Sequence, residues 1–447
     1  MTPVLEADQV EADAPATAEI ASDRPSDAER VMAVVKNPRV LALIDQAVVS
    51  GTNFLTAWAL MRLVDETSLG IYTLAMTVVI VGVGMQTELV SNPFKIYGQR
   101  RSGNSLRRYT GSAVAHQAVA SISLLLMLLA LAWATNNIAL IVPVLPVLLV
   151  FGPMIMTREF VRQMSFARFR FDEALLSDVV VSGLQLASLA ALWATDMLSP
   201  AAVLATFGTA CGASVVIWLV RSRDRMIFDR RVIGRHALRN WRFSRWTLAT
   251  YLIGSTTPFV MPWVLAAYHG QGATGLLAAC NTLIGLSYTF TTGVANWLTA
   301  GAAREYHKAG KAGLLRVVRS TSLIMFAGLG PFVALTWFFG EWALMTVYKD
   351  ADVVGLGPVS FVIACGVLST AVNIVAGNAL WAIDRPQDGL IADACVLLST
   401  VVLAVLLVPT YAIMGAAIAT AAGVTVGGVV RSLSLVLALR KSPGAVR

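Results

Sequence analysis

Apolar runs of about 20 residues, set apart by charge or by Gly, Pro and Asn turn signals, recur from residue 38 to residue 438. At ~1.5 Å of helix rise per residue, such a run matches the ~30 Å hydrocarbon core of a bilayer. Charged residues make up 13% of the chain and hydrophobic ones 57%, with a mean hydropathy of +0.70. Soluble domains carry about 25% charge, so a soluble fold is excluded. The chain is expected to be an all-α polytopic membrane protein. Twelve spans are predicted, at 38–61, 68–92, 110–134, 137–157, 174–194, 199–220, 246–268, 273–299, 314–339, 353–381, 390–408 and 411–438. Pro143, Pro146 and Pro153 interrupt the fourth, and the eleventh is short. Ahead of them, residues 1–30 carry eight acids, two arginines and no apolar core, which reads as a disordered tail and not a signal peptide.

The joints between spans alternate in charge. Segment 95–109, KIYGQRRSGNSLRRY, has five basic residues and no acid, and segment 221–245 has nine arginines against Asp224 and Asp229. Segments 158–173 and 300–319 are also basic. Between them lie ATNN at 134–137, TDMLSP at 195–200, HGQG at 269–272 and PTYA at 409–412, with no Lys or Arg. Of 34 basic residues only Arg62 and Lys349 fall on the poor side. Basic loops stay cytoplasmic, so both termini are expected in the cytoplasm and the chain in the cytoplasmic membrane. The net charge of +8 is spread over loops with no recognition module beside it. It points to anionic membrane lipids and not to nucleic acid.

A shift of 205 residues superimposes VSGTNFL at 49–55 on GSTTPFV at 254–260, and LGIYTLA at 69–75 on TGLLAAC at 274–280, with Gly70 over Gly275. The chain thus divides into two six-helix bundles related by a parallel repeat, an architecture suited to alternating access around a central cleft. The expected division is a cytoplasmic tail over 1–37, bundles over 38–220 and 246–438, a basic linker over 221–245 and a short tail over 439–447.

Polar groups inside a bilayer are costly, which makes each a functional candidate. Span one carries Asp45, Gln46, Thr52 and Asn53, span two Glu88, span three His116, span eight Asn296, and span ten Asn373 and Asn378. Nearly all fall in the cytoplasmic third, and a shared vestibule open to the cytoplasm is expected. Positions 45, 49, 52 and 53 share one helix face. Asp45 and Glu88 at one depth would share a proton or hold a cation; alternatively they reach the head-group boundary or pair with basic loop residues. Arg62 either snorkels to the outer interface or latches a gate. Gly208/Gly212 and Gly423/Gly427 have the spacing of close-packed membrane helices.

Cys211, Cys280, Cys365 and Cys395 are scattered in apolar spans, which suits small buried hydrophobes better than a disulfide or metal site. No HExxH, P-loop or GxSxG motif occurs, so neither a cofactor nor enzymatic chemistry is expected, and transport would be secondary.

Residues 45–79, DQAVVSGTNFLTAWALMRLVDETSLGIYTLAMTVV, followed by NPFKIYGQRR, resemble the start of polysaccharide/O-antigen-type flippases. These belong to the superfamily of multidrug and toxin exporters, oligosaccharidyl-lipid flippases and polysaccharide exporters. Arg62, Gly70 and Tyr72 match that pattern, and the likeness is strongest over about the first 110 residues. The resemblance implies a V-shaped pair of bundles that moves an oligosaccharide on a polyprenyl pyrophosphate to the outer leaflet, with polysaccharide-synthesis enzymes as partners. No arginine is expected near the middle of any span, which leaves Arg62, Lys95 and Arg431 at the cleft edge as phosphate contacts. The alternatives are a cation-coupled exporter of small amphipathic compounds, a membrane-embedded glycosyltransferase or polymerase, and a non-transporting scaffold. The topology is tested by single cysteines at positions 104 and 270 in a cysteine-free background. The first is expected to react with an impermeant thiol reagent only from inside and the second only from outside; the reverse pattern would invert the orientation.

Overall fold

The computed structural model describes residues 38–168, 170–254, 257–349 and 351–441; the acidic tail expected over residues 1–30 lies outside them. Among the described residues the chain is helical, with short 3-10 and π turns and no strand. A helix satisfies its own backbone groups, which a lipid environment demands. The elements are α1 (Pro38–Leu63), α2 (Glu66–Tyr97), α3 (Gly103–Ala134), α4 (Ile138–Ala167), α5 (Phe171–Ala194) and α6 (Pro200–Ser222). The second half comprises α7 (Arg230–Gly254), α8 (Thr257–Ile284), α9 (Leu286–Tyr348), α10 (Gly357–Ala382) and α11 (Pro386–Lys441).

Local chemistry marks the ends. Asp65 caps α2 by accepting from the Ser68 amide at 2.6 Å, and Ser199 caps α6 ahead of Pro200. Asn136, Asp196 and Asp384 take left-handed backbone just past α3, α5 and α10, a conformation that Asn and Asp tolerate.

Eight of the described helices are long and apolar enough to cross a membrane, or nine with α7 and α8 counted as one bent span. Three long helices conceal hairpins. α8 turns at Gly270 (φ 82°), so that the Thr274 hydroxyl donates to the Pro262 carbonyl at 3.1 Å. α9 turns at Ala309 and Gly310, and α11 at Ala412. A Cβ on Gly313 would lie 2.4 Å from the Glu305 carbonyl oxygen, and one on Gly415 2.4 Å from that of Leu407. Eight residues of straight helix would separate such atoms by ~12 Å, so the arms fold back on each other. These turns fall at the joints expected between spans seven and eight, eight and nine, and eleven and twelve. Segment 221–245, expected as a linker, contains a 3-10 turn at Arg223–Arg225 and the first four turns of α7.

The turns after α2, α4, α6 and α10 and the one at Ala309–Gly310 gather at one end of the molecule, called here the basic end, and those after α1, α3, α5 and α9 and at Gly270 and Ala412 at the other, the neutral end. Near the neutral end the two repeats meet. A Cβ on Gly70 would fall 1.9 Å from the Gln271 carbonyl oxygen, and one on Gly275 would fall 1.7 Å from that of Glu66. Glu66 and Gln271 are themselves 205 residues apart, the offset of the sequence repeat, so the contact is reciprocal. From there α8 and then α7 run antiparallel along α2. The Trp263 indole donates to Thr77 Oγ1 at 2.8 Å, and a Cβ on Gly84 would overlap the Tyr251 ring. The symmetry-related contact brings Leu60 and Met61 of α1 against Ala279 and Cys280 of α8.

A second stretch of the repeat becomes visible in three dimensions. RFDEALLSD at 170–178 opens α5 as RPQDGLIAD at 385–393 opens α11, and the ion pairs Arg170–Glu173 (2.7 Å) and Arg385–Asp388 (3.0 Å) coincide. The glycine pairs 208/212 and 423/427 share this larger offset. Both pack as expected, Gly208 and Gly212 on Phe151 and Met154 of α4, Gly423 and Gly427 on Thr400 and Val396 of α11. The second half has therefore gained ten residues between its second and fifth spans.

Alanine at Gly70 or Gly275 must push two backbones apart. Each substitution is expected to cost at least the ~1–3 kcal/mol of an overpacked core and to lower the unfolding midpoint of the detergent-solubilised protein. Gly183→Ala, where a Cβ meets nothing within 4 Å, should leave the midpoint unchanged or slightly raised.

Candidate functional site

Within the first half, α1, α2, α4 and α5 enclose a cavity of about 200 Å³. Thr52 and Asn53 line it from α1, Ile80 from α2, Arg158 and Glu159 from α4, and Gln185 from α5. Asn53 is exposed and stands at its mouth, whereas Thr52 is buried, its hydroxyl donating to the Val48 carbonyl of its own helix at 2.9 Å. Gln185 ties the wall together by donating to Thr56 Oγ1 at 3.0 Å.

The cavity wall carries charge that the sequence reading placed elsewhere. α4 continues ten residues beyond the expected end of span four, so Arg158 and Arg162 lie within a helix and one turn apart. Segment 158–173 was expected as a basic loop after a span interrupted by Pro153. The helix absorbs it, and Thr157 donates to the Pro153 carbonyl at 2.7 Å. Arg158 stands nine residues before the end of this 30-residue helix, so the basic loop expected from residue 158 starts only after Ala167. Asp178, fully buried on α5, receives Arg158 Nη2 on one oxygen and Arg162 Nε on the other at 2.8 Å. Glu159 completes the quartet, with oxygens 3.4 Å from Arg158 Nη1 and 3.5 Å from Arg162 Nη1. Two guanidiniums balance two carboxylates, which is the condition under which charge persists away from water.

A belt of hydrogen bonds runs from the quartet toward the basic end. Gln163 donates to Thr87 Oγ1 at 3.0 Å and accepts from Lys95 Nζ at 3.2 Å; Asn92 then donates to Glu88 at 2.9 Å. Glu88 sits on a π turn at Thr87–Ser91. Pro93 has no N–H and its ring displaces the Leu89 carbonyl, which explains the widened turn. Ser244 of α7 donates to that carbonyl at 3.5 Å. Deeper in the bundle, Gln117 donates to Gln86, whose own amide donates to the Met156 carbonyl at 2.6 Å.

The second half holds a related arrangement. Asp393 lies seven residues into α11, as Asp178 does into α5. Arg431 pairs with Asp393 and donates to Asn373 Oδ1 at 2.8 Å, while the Asn373 amide donates to the Ser369 and Val424 carbonyls. The two aspartates are repeat-equivalent, but their arginines come from different helices, α4 in one half and the returning arm of α11 in the other.

The candidates expected to share one cleft thus fall into two groups. Thr52 and Asn53 line the first-half cavity and Glu88 and Lys95 belong to its belt, whereas Asn373 and Arg431 sit in the second half. The side chains of Asp45, Gln46 and Asn296 lie outside the described residues. His116 Nε2 lies 3.0 Å from the Ile233 carbonyl and ties α3 to α7. Asn378 donates to the Ile374 carbonyl of its own helix at 2.8 Å. Arg62 donates to the Val347 carbonyl at 3.1 Å, beside Trp58 donating to the same oxygen at 2.9 Å, so it joins the halves at the neutral end. Among the described residues no group of three or more His, Cys, Asp or Glu is placed to hold a metal ion. Arg158, Arg162 and Asp178 were missed; the acid spaced at Arg+8 in both RFDEALLSD and RPQDGLIAD was the signal that would have found the last.

No family model and no curated protein matches the sequence. The fold does match. It aligns with the lipid II flippase MurJ in an inward closed conformation at a TM-score of 0.72 over 91% of this chain and 88% of that one, with 15% identity. This chain has the fold of the MOP superfamily. An inward-facing multidrug resistance MATE family transporter of that superfamily aligns at 0.62 and 17% identity over 91% of this chain and 96% of its own. A MOP superfamily transporter from Pyrococcus furiosus aligns at 0.63 and 16% identity over 90% and 95%.

Asp178→Asn leaves two guanidiniums without their shared carboxylate and is expected to cost ~3–5 kcal/mol of stability. Asp393→Asn should cost less, because the side chains of Arg431 and Asp393 are 17% and 21% exposed against 0% for Asp178. Thermal unfolding of the two variants in detergent ranks them.

Proposed function

We propose that the chain is a flippase that moves a lipid-linked saccharide of the polyprenyl-pyrophosphate type across the cytoplasmic membrane by alternating access, for surface polysaccharide assembly. The observation that carries the reading is the first-half cavity, mostly apolar in lining but walled by Arg158 and fronted by Asn53, in a fold that aligns along nine-tenths of its length with a lipid II flippase. The two halves, 38–220 and 246–438, rock about the Gly70–Gly275 contact. Arg62 and Trp58 latch the neutral end, which faces outward, and α7 closes the basic, cytoplasmic end.

Arg158 is the phosphate contact in this reading. Its hold on Asp178 is tight and its contact with Glu159 is the longer one, so an arriving phosphate displaces Glu159 and leaves the Asp178 pair intact. Asn53, Thr52 and Gln185 bind sugar hydroxyls, and Asp45, Gln46, Glu88 and Asn296 are carried forward from the sequence as candidates for coupling. Lys95 and Arg431 stay in supporting roles, and anionic lipids and saccharide-synthesis enzymes gather at the basic loops.

The size and neutrality of the cavity favour a second reading, cation-coupled export of small amphipathic compounds, because ~200 Å³ lies below the usual range for drug-sized ligands. Reconstitution separates the two. Vesicles containing the protein and a fluorescent polyprenyl-pyrophosphate saccharide should expose the head group to an impermeant quencher faster than protein-free vesicles. Asn53→Trp, Asp45→Asn and Glu88→Gln should each slow that transfer about ten-fold with unchanged protein content. Absence of lipid transfer, together with dye export driven by a proton or sodium gradient, would overturn the flippase reading in favour of the exporter.

A further inference from the structure

The basic end of the first half holds a second cluster of arginines that the transport path does not use. Arg168 follows α4, Arg170 precedes α5, Arg221 ends α6 and Arg225 lies in the 3-10 turn beyond it. Arg170 Nη1 and Arg225 Nη1 both reach Glu173 Oε1, at 2.7 and 2.8 Å, and Arg168 is held by Thr110 Oγ1 and by the ring of Phe94 at 5.4 Å. With Arg223 included, the two stretches carry five arginines against Asp172, Glu173 and Asp224. Burial, and then the nearness of Arg170 and Arg225, push the Arg168 guanidinium below its ordinary value against the pull of Glu173.

Between these groups lies a recess with room for one water-sized atom, about 10 Å³, lined by Arg168, Arg170, Glu173, Ser222 and Arg225. Ser222 is 2% exposed and its hydroxyl has no hydrogen-bond partner in the structure. A buried hydroxyl is ordinarily satisfied, so this one marks the place of a missing acceptor or donor. The recess shares Glu173, Trp218 and Ser222 with an apolar groove of about 170 Å³ between α5 and α6, lined by Leu176, Val180 and Ile217. Leu176 and Ile217 are exposed on the lipid-facing flank.

The internal repeat supplies a control. Arg170 and Glu173 have the counterparts Arg385 and Asp388, so that ion pair belongs to the fold. At the same offset Arg168 corresponds to Ile383, Arg221 to Val436 and Ser222 to Leu437. Arg225 corresponds to Arg440, so the second half has kept the pair and this arginine but lacks Arg168, Arg221 and Ser222, which points to a ligand and not to folding as the reason for those three.

We propose that this site binds one anionic phospholipid, a phosphate oxygen entering the recess between Arg168, Arg225 and Ser222 while an acyl chain lies in the α5–α6 groove. An ordinary membrane lipid is the occupant because the groove opens on the acyl-chain side of the bundle, where free phosphate has nothing to gain. Arginine and a buried hydroxyl suit a phosphate oxygen, and the guanidiniums are relieved of one another by the incoming charge.

The test uses the full chain in nanodiscs with phosphatidylglycerol or phosphatidylcholine brominated along one acyl chain. Trp218 sits in the groove, so its emission, taken as the difference between the wild-type protein and Trp218→Phe, should be quenched at least five-fold more efficiently per mole of phosphatidylglycerol than of phosphatidylcholine. Arg168→Gln and Ser222→Leu should each abolish that preference, and Arg385→Gln should not alter it. Inorganic phosphate at millimolar concentration should fail to relieve the quenching. Equal quenching by the two lipids, an undiminished preference in both Arg168→Gln and Ser222→Leu, or displacement by inorganic phosphate would each overturn the proposal.

Discussion

Two helices meet backbone to backbone at Gly70 and Gly275, and the rest of the molecule is arranged around that contact. Lipid tails are as apolar as leucine, so helices in a membrane gain little from hiding apolar surface in one another. They associate through close packing and polar contacts, and a glycine on each side permits the closest approach. Because the carbonyls of Glu66 and Gln271 each face the other repeat's glycine, neither half can gain a side chain there without displacing the other. The reciprocity fixes α2 against α8. It also sets the antiparallel run of α7 down α2 and the matching contact of α1 with α8. A narrow contact of this kind restrains translation far more than rotation, which suits the rocking motion proposed above.

The polar interior obeys a second constraint, that charge inside the bundle must be neutralised locally. Each half places an aspartate seven residues into its fifth helix and meets it with arginine. The first half surrounds Asp178 with two guanidiniums and an additional carboxylate, and the second satisfies Asp393 with Arg431 and recruits Asn373 for the spare guanidinium hydrogens. The common acid and the differing arginines show where the two halves have diverged. A cavity borders the first-half quartet, whereas Gly427 and Gly428 bring the returning arm of α11 tightly onto Asn373 in the second.

Much of the fold was legible in the sequence because a bilayer imposes one length and one polarity on every crossing. The hairpins at Gly270, Gly310 and Ala412 fell where turn residues or charge broke the apolar runs. The candidate site was less legible, for identifiable reasons. A run of basic residues reads as a cytoplasmic loop when only composition is weighed, yet here the helix continues through it with its charges paired, and that hid Arg158 and Arg162. The partners of Asp178 lie on a different helix, a relation that spacing along one chain does not reveal. The repeat at 170–178 and 385–393 was masked by the ten residues gained between the second and fifth spans, since an alignment at the first offset misses it. Thr52 and Asn53 were recognisable because a polar pair in an apolar helix needs no partner to stand out.

The π turn shows how one residue couples the cavity to the basic end. Pro93 forces the Leu89 carbonyl out of the helical ladder, and Ser244 of α7 takes it up. The same widened turn projects Glu88 toward Asn92 and Thr87 toward Gln163, so the belt that leads to Arg158 starts from the residue α7 holds. Tyr109 donating to Asn240 at 3.0 Å and Ser112 bonded to His236 at 2.8 Å fasten α7 to α3 over the same region. Any motion that lifts α7 from the first half must break these bonds and leave the Leu89 carbonyl unpaired in an apolar setting, unless water follows it in. Lifting α7 from the first half and hydrating the belt are therefore a single event, and in the flippase reading proposed above that event is what would admit a polar head group to the charged quartet.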